Sequence, residues 1–132
     1  MPSETDNPME KVIRKDGRYP MEAFALLQEG LMRAVRDKYG EETDAAPGQR
    51  HVSGRELCMG VRKVLLDRYG MLARAVLGRW SIRGTIDFGN MVYLLIKHEF
   101  MHKTEEDSIE DFRGVFDLEK DLVVTDDFEL KE

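Results

Sequence analysis

From Met71 to Phe100 the chain reads MLARAVLGRWSIRGTIDFGNMVYLLIKHEF. The stretch holds a helical apolar period, a polar break and a second, longer helical period. Leu72, Ala75, Val76, Leu77 and Trp80 recur at the i, i+3, i+4 spacing of one buried helix face, which predicts a helix over 71–80 with Arg74 and Arg79 on the opposite side. Ser81 to Thr85 breaks the pattern, and Gly84 is free to take a positive φ there. Asp87, or Thr85 before it, is the expected N-cap of a helix running to Phe100. Phe88, Met91, Val92, Leu95 and Ile96 form its stripe, widened by Tyr93 and Leu94. Two helices joined by a short turn make a helix-turn-helix shape at 71–100. That shape is common among small α proteins and does not name a function. Trp80, the only Trp, is expected as a buried anchor between the two helices.

The remaining periods add helices before this stretch. Asn7-Pro8-Met9-Glu10 is a helix start, with Asn as N-cap, Pro at the first helical position and Glu at N3. A helix to about Lys15 faces Met9, Val12 and Ile13 inward, and Asp16-Gly17 ends it. Tyr19-Pro20 opens a helix to Tyr39 with Phe24, Leu27, Leu31, Ala34 and Val35 inward. Gly30 lies in mid-helix, where glycine costs about 1 kcal/mol relative to Ala, and a close helix crossing is the simplest reason for it. Gly40 stops this helix. Ser53-Gly54-Arg55-Glu56 is a capping box for a helix to Tyr69 that turns Leu57, Val61, Val64 and Leu65 inward. The expectation is a mainly α domain of about five helices over 7–122. A disordered tail at 1–6, a polar loop at 41–52 (EETDAAPGQRHV) and an acidic tail at 123–132 complete the chain. At 132 residues, one domain can bury a core without staples.

After Phe100 the period changes. In Phe112 to Leu118, Phe112, Gly114 and Phe116 share one parity, Arg113, Val115 and Asp117 the other. The expectation is a winged-helix-like β-hairpin at 101–118, with a short helix from Ser108 as the competing reading.

Charge divides the chain. Residues 104–132 carry 12 acidic and 3 basic side chains. From Arg50 to Arg83 there are eight Arg or Lys against Glu56 and Asp67. An anionic partner would be met by Arg62, Lys63, Arg74, Arg79 and Arg83; the competing reading is an ordinary solvated face. In a winged helix the recognition helix would start Asp87-Phe88-Gly89-Asn90, and the wing would carry Glu105, Glu106, Asp107, Glu110 and Asp111. Phosphates repel both, so a winged fold here would bind protein. No apolar run reaches the length of a membrane span, the N-terminus lacks a signal-like apolar segment, and the single Cys58 fits a reducing compartment. The expected location is the cytoplasm, with no membrane partner, and Cys58 reads as a core residue.

Two short motifs suggest chemistry. His98-Glu99-Phe100-Met101-His102 matches H-E-x-x-H, which on a helix aims two imidazoles at one zinc with Glu as general base. Lys97 and Lys103 crowd it, the helix ends near Thr104, and a third ligand would have to come from Glu105, Glu106, Asp107 or Glu110, since His51 is far away in sequence. The expectation is two exposed histidines at a helix end and no metal or other cofactor. A minimal zinc hydrolase at His98 and His102 is the alternative. Asp87-Phe88-Gly89 spells a kinase triplet without any other kinase element, so Asp87 reads as a cap and Phe88 as core. Phosphate loops, dinucleotide fingerprints, nucleophile elbows and paired-cysteine zinc patterns are missing from the sequence.

RYPMEAF with Glu29-Gly30-Leu31, HVSGREL, WSIRGTIDF and KTEEDSIEDFRGVFDLE, taken in order, resemble a small family found mainly in planctomycete and verrucomicrobial bacteria. The resemblance covers Tyr19 to about Leu122. It implies that Tyr19-Pro20, His51, Ser53, Trp80, Asp87-Phe88-Gly89 and Lys103-Thr104 belong to a shared pattern, one without His at positions 98 and 102. No activity is attached to that family. The functional expectation is therefore a non-enzymatic protein-interaction or regulatory module, with a nucleic-acid-binding regulator using the basic face as the alternative.

Overall fold

Helix α1 spans Pro8–Asp16, α2 Met21–Tyr39, α3 Gly54–Tyr69, α4 Ala73–Arg79 and α5 Ile86–Lys97. Single 3-10 turns lie at Gly70–Leu72 and Ile109–Phe112. The computed structural model describes residues 7–40 and 50–122; the expected tails at 1–6 and 123–132 and most of the 41–52 loop lie outside them. The protein is mainly helical, and no helix among the described residues is long and apolar enough to cross a membrane.

Local chemistry sets the helix starts. The Asn7 side chain accepts from the N–H groups of Met9 at 2.9 Å and Glu10 at 3.1 Å. Ser53 and Glu56 form the complete capping box, satisfying donors that a helix start otherwise leaves orphaned. Pro20 caps α2 without a side-chain bond.

The principal packed pair is α2 on α3, and two glycines let their backbones approach. A Cβ on Gly30 would lie 2.8 Å from Val61 Cα, and one on Gly60 would run into the Gly30 carbonyl and sit 3.0 Å from Ala34 Cβ. The mid-helix Gly30 is thus the close crossing that its position implied. Leu26, Leu27, Leu57, Cys58, Val61 and Leu65 of these two helices are all buried in the core.

Three local expectations are corrected. First, α4 is rotated. The 3-10 turn Gly70–Leu72 advances the chain by three rather than 3.6 residues per turn, so Ala73 and Leu77 face the core at 0% exposure while Leu72 and Ala75 face out. Second, the left-handed residue after α4 is Ser81 (φ 66°), not Gly84. Ile82 N–H reaches Leu77 O at 2.9 Å and Ser81 N–H reaches Gly78 O at 3.1 Å, the Schellman pattern. The same motif ends α5: Glu99 has φ 67°, with Phe100 N–H on Leu95 O at 2.8 Å and Glu99 N–H on Ile96 O at 3.0 Å.

Third, the β-hairpin expected at 101–118 is not formed; no strand occurs among the described residues. Ser108 and Asp111 instead make a second capping box around one 3-10 turn. Gly114 takes φ 62°, and Phe112, Phe116, Leu118 and Leu122 all tuck inward. Arg113 and Asp117 still face solvent, as the alternation expects, but without strand pairing. The 3-10 turn packs against α3 and α5, and α4 packs against α3, so the winged arrangement does not arise.

Candidate functional site

The C-terminal segment is locked down by side chains whose sequence signals were slight. Thr85 is 1% exposed; its hydroxyl donates to Phe112 O at 2.6 Å and accepts from Val115 N–H at 3.0 Å. It makes no side-chain cap for α5. Asp87 folds back instead and accepts from Arg83 N–H at 2.8 Å and Gly84 N–H at 3.1 Å. The Tyr19 hydroxyl donates to Asp87 at 2.5 Å and accepts from Asn90 at 3.1 Å; burial, then this bond to a carboxylate, pushes its pKa up. The Phe112 ring lies in a slot between two helices: a Cβ on Gly54 would come within 2.7 Å of it, and one on Gly89 within 2.9 Å of the Phe112 side chain. Asp87-Phe88-Gly89 is therefore a structural triplet, consisting of a turn-closing carboxylate, a fully buried ring and a space for Phe112.

Under this segment lies a cavity of about 250 Å³. Leu31, Leu57, Ile96, Met101 and Phe112 give it an apolar wall, with Tyr93 among its lining residues. The Tyr93 ring meets Phe112 edge-on at 6.5 Å, and its hydroxyl is buried with no hydrogen-bond partner among the described residues. Burial, then the carboxylates of Asp107 and Asp111, push the Tyr93 pKa up. At the rim, His51 Nε2 lies 3.1 Å from Asp107 Oδ1. His51, distant in sequence, is thus carried to the acidic segment, and its carbonyl is held by Tyr39 Oη at 2.6 Å and Lys38 Nζ at 3.2 Å.

The H-E-x-x-H motif does not lie on a helix. Helix α5 ends at Lys97, and the left-handed Glu99 reverses the chain, so His98 and His102 do not share a helical face; both are exposed. Among the described residues no three His, Cys, Asp or Glu are grouped to hold a metal ion. Cys58 is fully buried, and burial pushes its thiol up to about 12, far from the thiolate that nucleophilic chemistry needs.

The five basic residues expected on one face divide into two groups. Arg62 Nε donates to Asp121 O at 2.9 Å, and Lys63 Nζ donates to Asp37 at 2.8 Å. Both serve the fold. Arg74, Arg79 and Arg83 are exposed and enter no ion pair among the described residues. They lie in a run from Arg68 to Ile86 that contains no carboxylate.

On the same run, two of the three most exposed large apolar side chains among the described residues are neighbours: Met71 at 83% and Leu72 at 66%. Ala75 and Gly78 follow them on the outside of α4, and a Cβ on Gly78 would meet nothing within 4 Å. The outer side of this corner is thus apolar and low in relief, with arginines on its flanks. Trp80 is less buried than an anchor between two helices is expected to be. It is half-buried and meets Tyr69 of α3 edge-on at 6.2 Å. Helical spacing cannot foresee this corner, because the 3-10 turn resets the phase just before it.

No protein-family model, curated protein or solved structure matches the chain.

Proposed function

We propose that the protein is a non-enzymatic, cytoplasmic interaction module whose α4 corner docks a partner protein presenting apolar and acidic side chains. The observation that carries this reading is the exposure of Met71 and Leu72, side by side, in a run without carboxylates. Isolated exposed apolar residues are ordinary. An adjacent pair continued by Ala75 and Gly78 makes a contiguous patch, the usual mark of a contact surface. Burying Met71 or Leu72 in a complex is worth roughly 1.5–3 kcal/mol each, and the exposed Arg74 and Arg79 supply orientation and encounter rate. Neither the proposed module nor its partner contact requires a metal or cofactor.

A nucleic acid is the second reading, favoured by the exposure of Arg74, Arg79 and Arg83. Affinity capture from a lysate of the source cells separates the two. The native chain retains a partner that Leu72→Asp loses without any change in melting temperature, and nuclease treatment leaves the capture intact. Capture abolished by nuclease but indifferent to Leu72→Asp would replace the protein partner with a nucleic acid.

A further inference from the structure

The cavity beneath the 101–112 segment is separate from the α4 corner and is not used by the interaction proposed above. Its volume of about 250 Å³ is room for a one-ring molecule, since an engineered cavity of about 150 Å³ takes up benzene. Leu31, Leu57, Ile96, Met101 and Phe112 offer water few hydrogen bonds, and charged and polar side chains line the remainder. The Tyr93 hydroxyl lacks any partner among the described residues, and buried polar groups in native proteins are nearly always paired. Packing against Phe112 fixes the phenol, so it does not simply turn out to water.

We propose that this cavity binds a small neutral molecule, about one ring in size, whose single hydroxyl or carbonyl oxygen accepts a hydrogen bond from Tyr93. Neutrality follows from the lining. Arg50 and Lys103 equal Asp107 and Asp111 in number, beside His51 and His102. Asp107 already accepts from His51 and from Thr104 N–H at 2.8 Å, and Asp111 accepts from Ser108 N–H at 3.0 Å. Asp107 spends both oxygens on these donors and Asp111 is exposed, so neither is a buried counter-charge for a cation, and their field, which pushes the phenol's pKa up, opposes an anion at the hydroxyl. The phenol therefore keeps its proton and donates. Because the hydroxyl is sealed from solvent, the ligand reaches it by displacing a wall side chain. Met101, unbranched and half-buried just beyond α5, is the adaptable one.

An NMR titration of the ¹⁵N-labelled full chain tests this with phenol and cyclohexanol as neutral probes, benzoate and benzylammonium as charged ones, and benzene as the apolar reference. Phenol and cyclohexanol should give saturable shifts centred on Leu57, Tyr93, Ile96 and Phe112, with the charged probes at least roughly tenfold weaker, since burying an unpaired charge is costly. Tyr93→Phe, which deletes a hydroxyl that bonds nothing among the described residues, should fold normally. It should weaken phenol about fivefold, the worth of one ordinary hydrogen bond, and leave benzene unchanged. Absence of saturation by either neutral probe, equal affinity for the charged probes, or phenol binding indifferent to Tyr93→Phe would each overturn the proposal.

Discussion

Replacing Thr85 by Val should cost about 2–4 kcal/mol, although the two side chains have the same shape. Thr85 is 1% exposed, and its hydroxyl serves both Phe112 O at 2.6 Å and Val115 N–H at 3.0 Å. Valine keeps the packing and orphans both backbone groups. A buried polar group left without a partner costs about 1–3 kcal/mol. Phe112 is buried, whereas Val115 is half-buried, so water relieves the second loss in part, which gives the stated total. Against the roughly 5–15 kcal/mol that holds a domain together, this is a large fraction, and at roughly 3–5 °C per kcal/mol it lowers the melting temperature by about 10 °C. Thr85→Ser keeps both hydrogen bonds and sheds one methyl, at about 1 kcal/mol. Urea and thermal unfolding followed by circular dichroism rank the three proteins. A Thr85→Val variant within 0.5 kcal/mol of the parent (about the noise of surface substitutions), or less damaged than Thr85→Ser, would refute the argument that this hydroxyl pins the C-terminal segment.

Other substitutions test other joints. Gly60→Ala should destabilise by about 1–3 kcal/mol in urea melts, because its Cβ meets the Gly30 carbonyl and Ala34. Gly78→Ala, in open space, should gain up to about 1 kcal/mol from helix propensity. Glu99→Gly should raise stability by about 1 kcal/mol, since the left-handed conformation at φ 67° strains a side chain that is exposed. Stability should also fall as pH rises above about 9. The thiol of Cys58 has an ordinary value of 9.0 but is pushed up to about 12 in the fold. The unfolded chain therefore releases this proton first, and the stability present below pH 9 is lost above it. Tyr19 and Tyr93 are also pushed up and act in the same direction, so Cys58→Ala should flatten the alkaline limb of a pH–stability curve without removing it.

Much of the helical frame was legible because its signals are local. Asn7, Ser53 and Glu56 act within three residues, and the Gly30 crossing announced itself as a glycine in mid-helix. What was misread depends on distant partners or on phase. The exposure of Leu72 and Ala75 follows from a three-residue 3-10 turn that rotates α4. The ends of α4 and α5 were blurred because Ser81 and Glu99 occupy positions where glycine is the usual sign. The apparent alternation over 112–118 was an accident of a segment whose Phe112, Phe116 and Leu118 find slots on other helices. Gly54 and Gly89 make room for Phe112, a relation no window of sequence contains. Trp80, expected to be buried, is half-buried and meets Tyr69 edge-on while packing against the core.

The claim that the outer face of α4 is the contact surface is tested most directly by site-specific photo-crosslinking. A photoreactive phenylalanine replaces exposed Ala75 at the centre of that face, or exposed Lys15 on α1 as the reference, and each purified protein is irradiated in lysate of the source cells. The account predicts a discrete protein adduct from position 75 that disappears when Leu72→Asp is added, with no such adduct from position 15. The same adduct from both positions, or none from position 75, would contradict it.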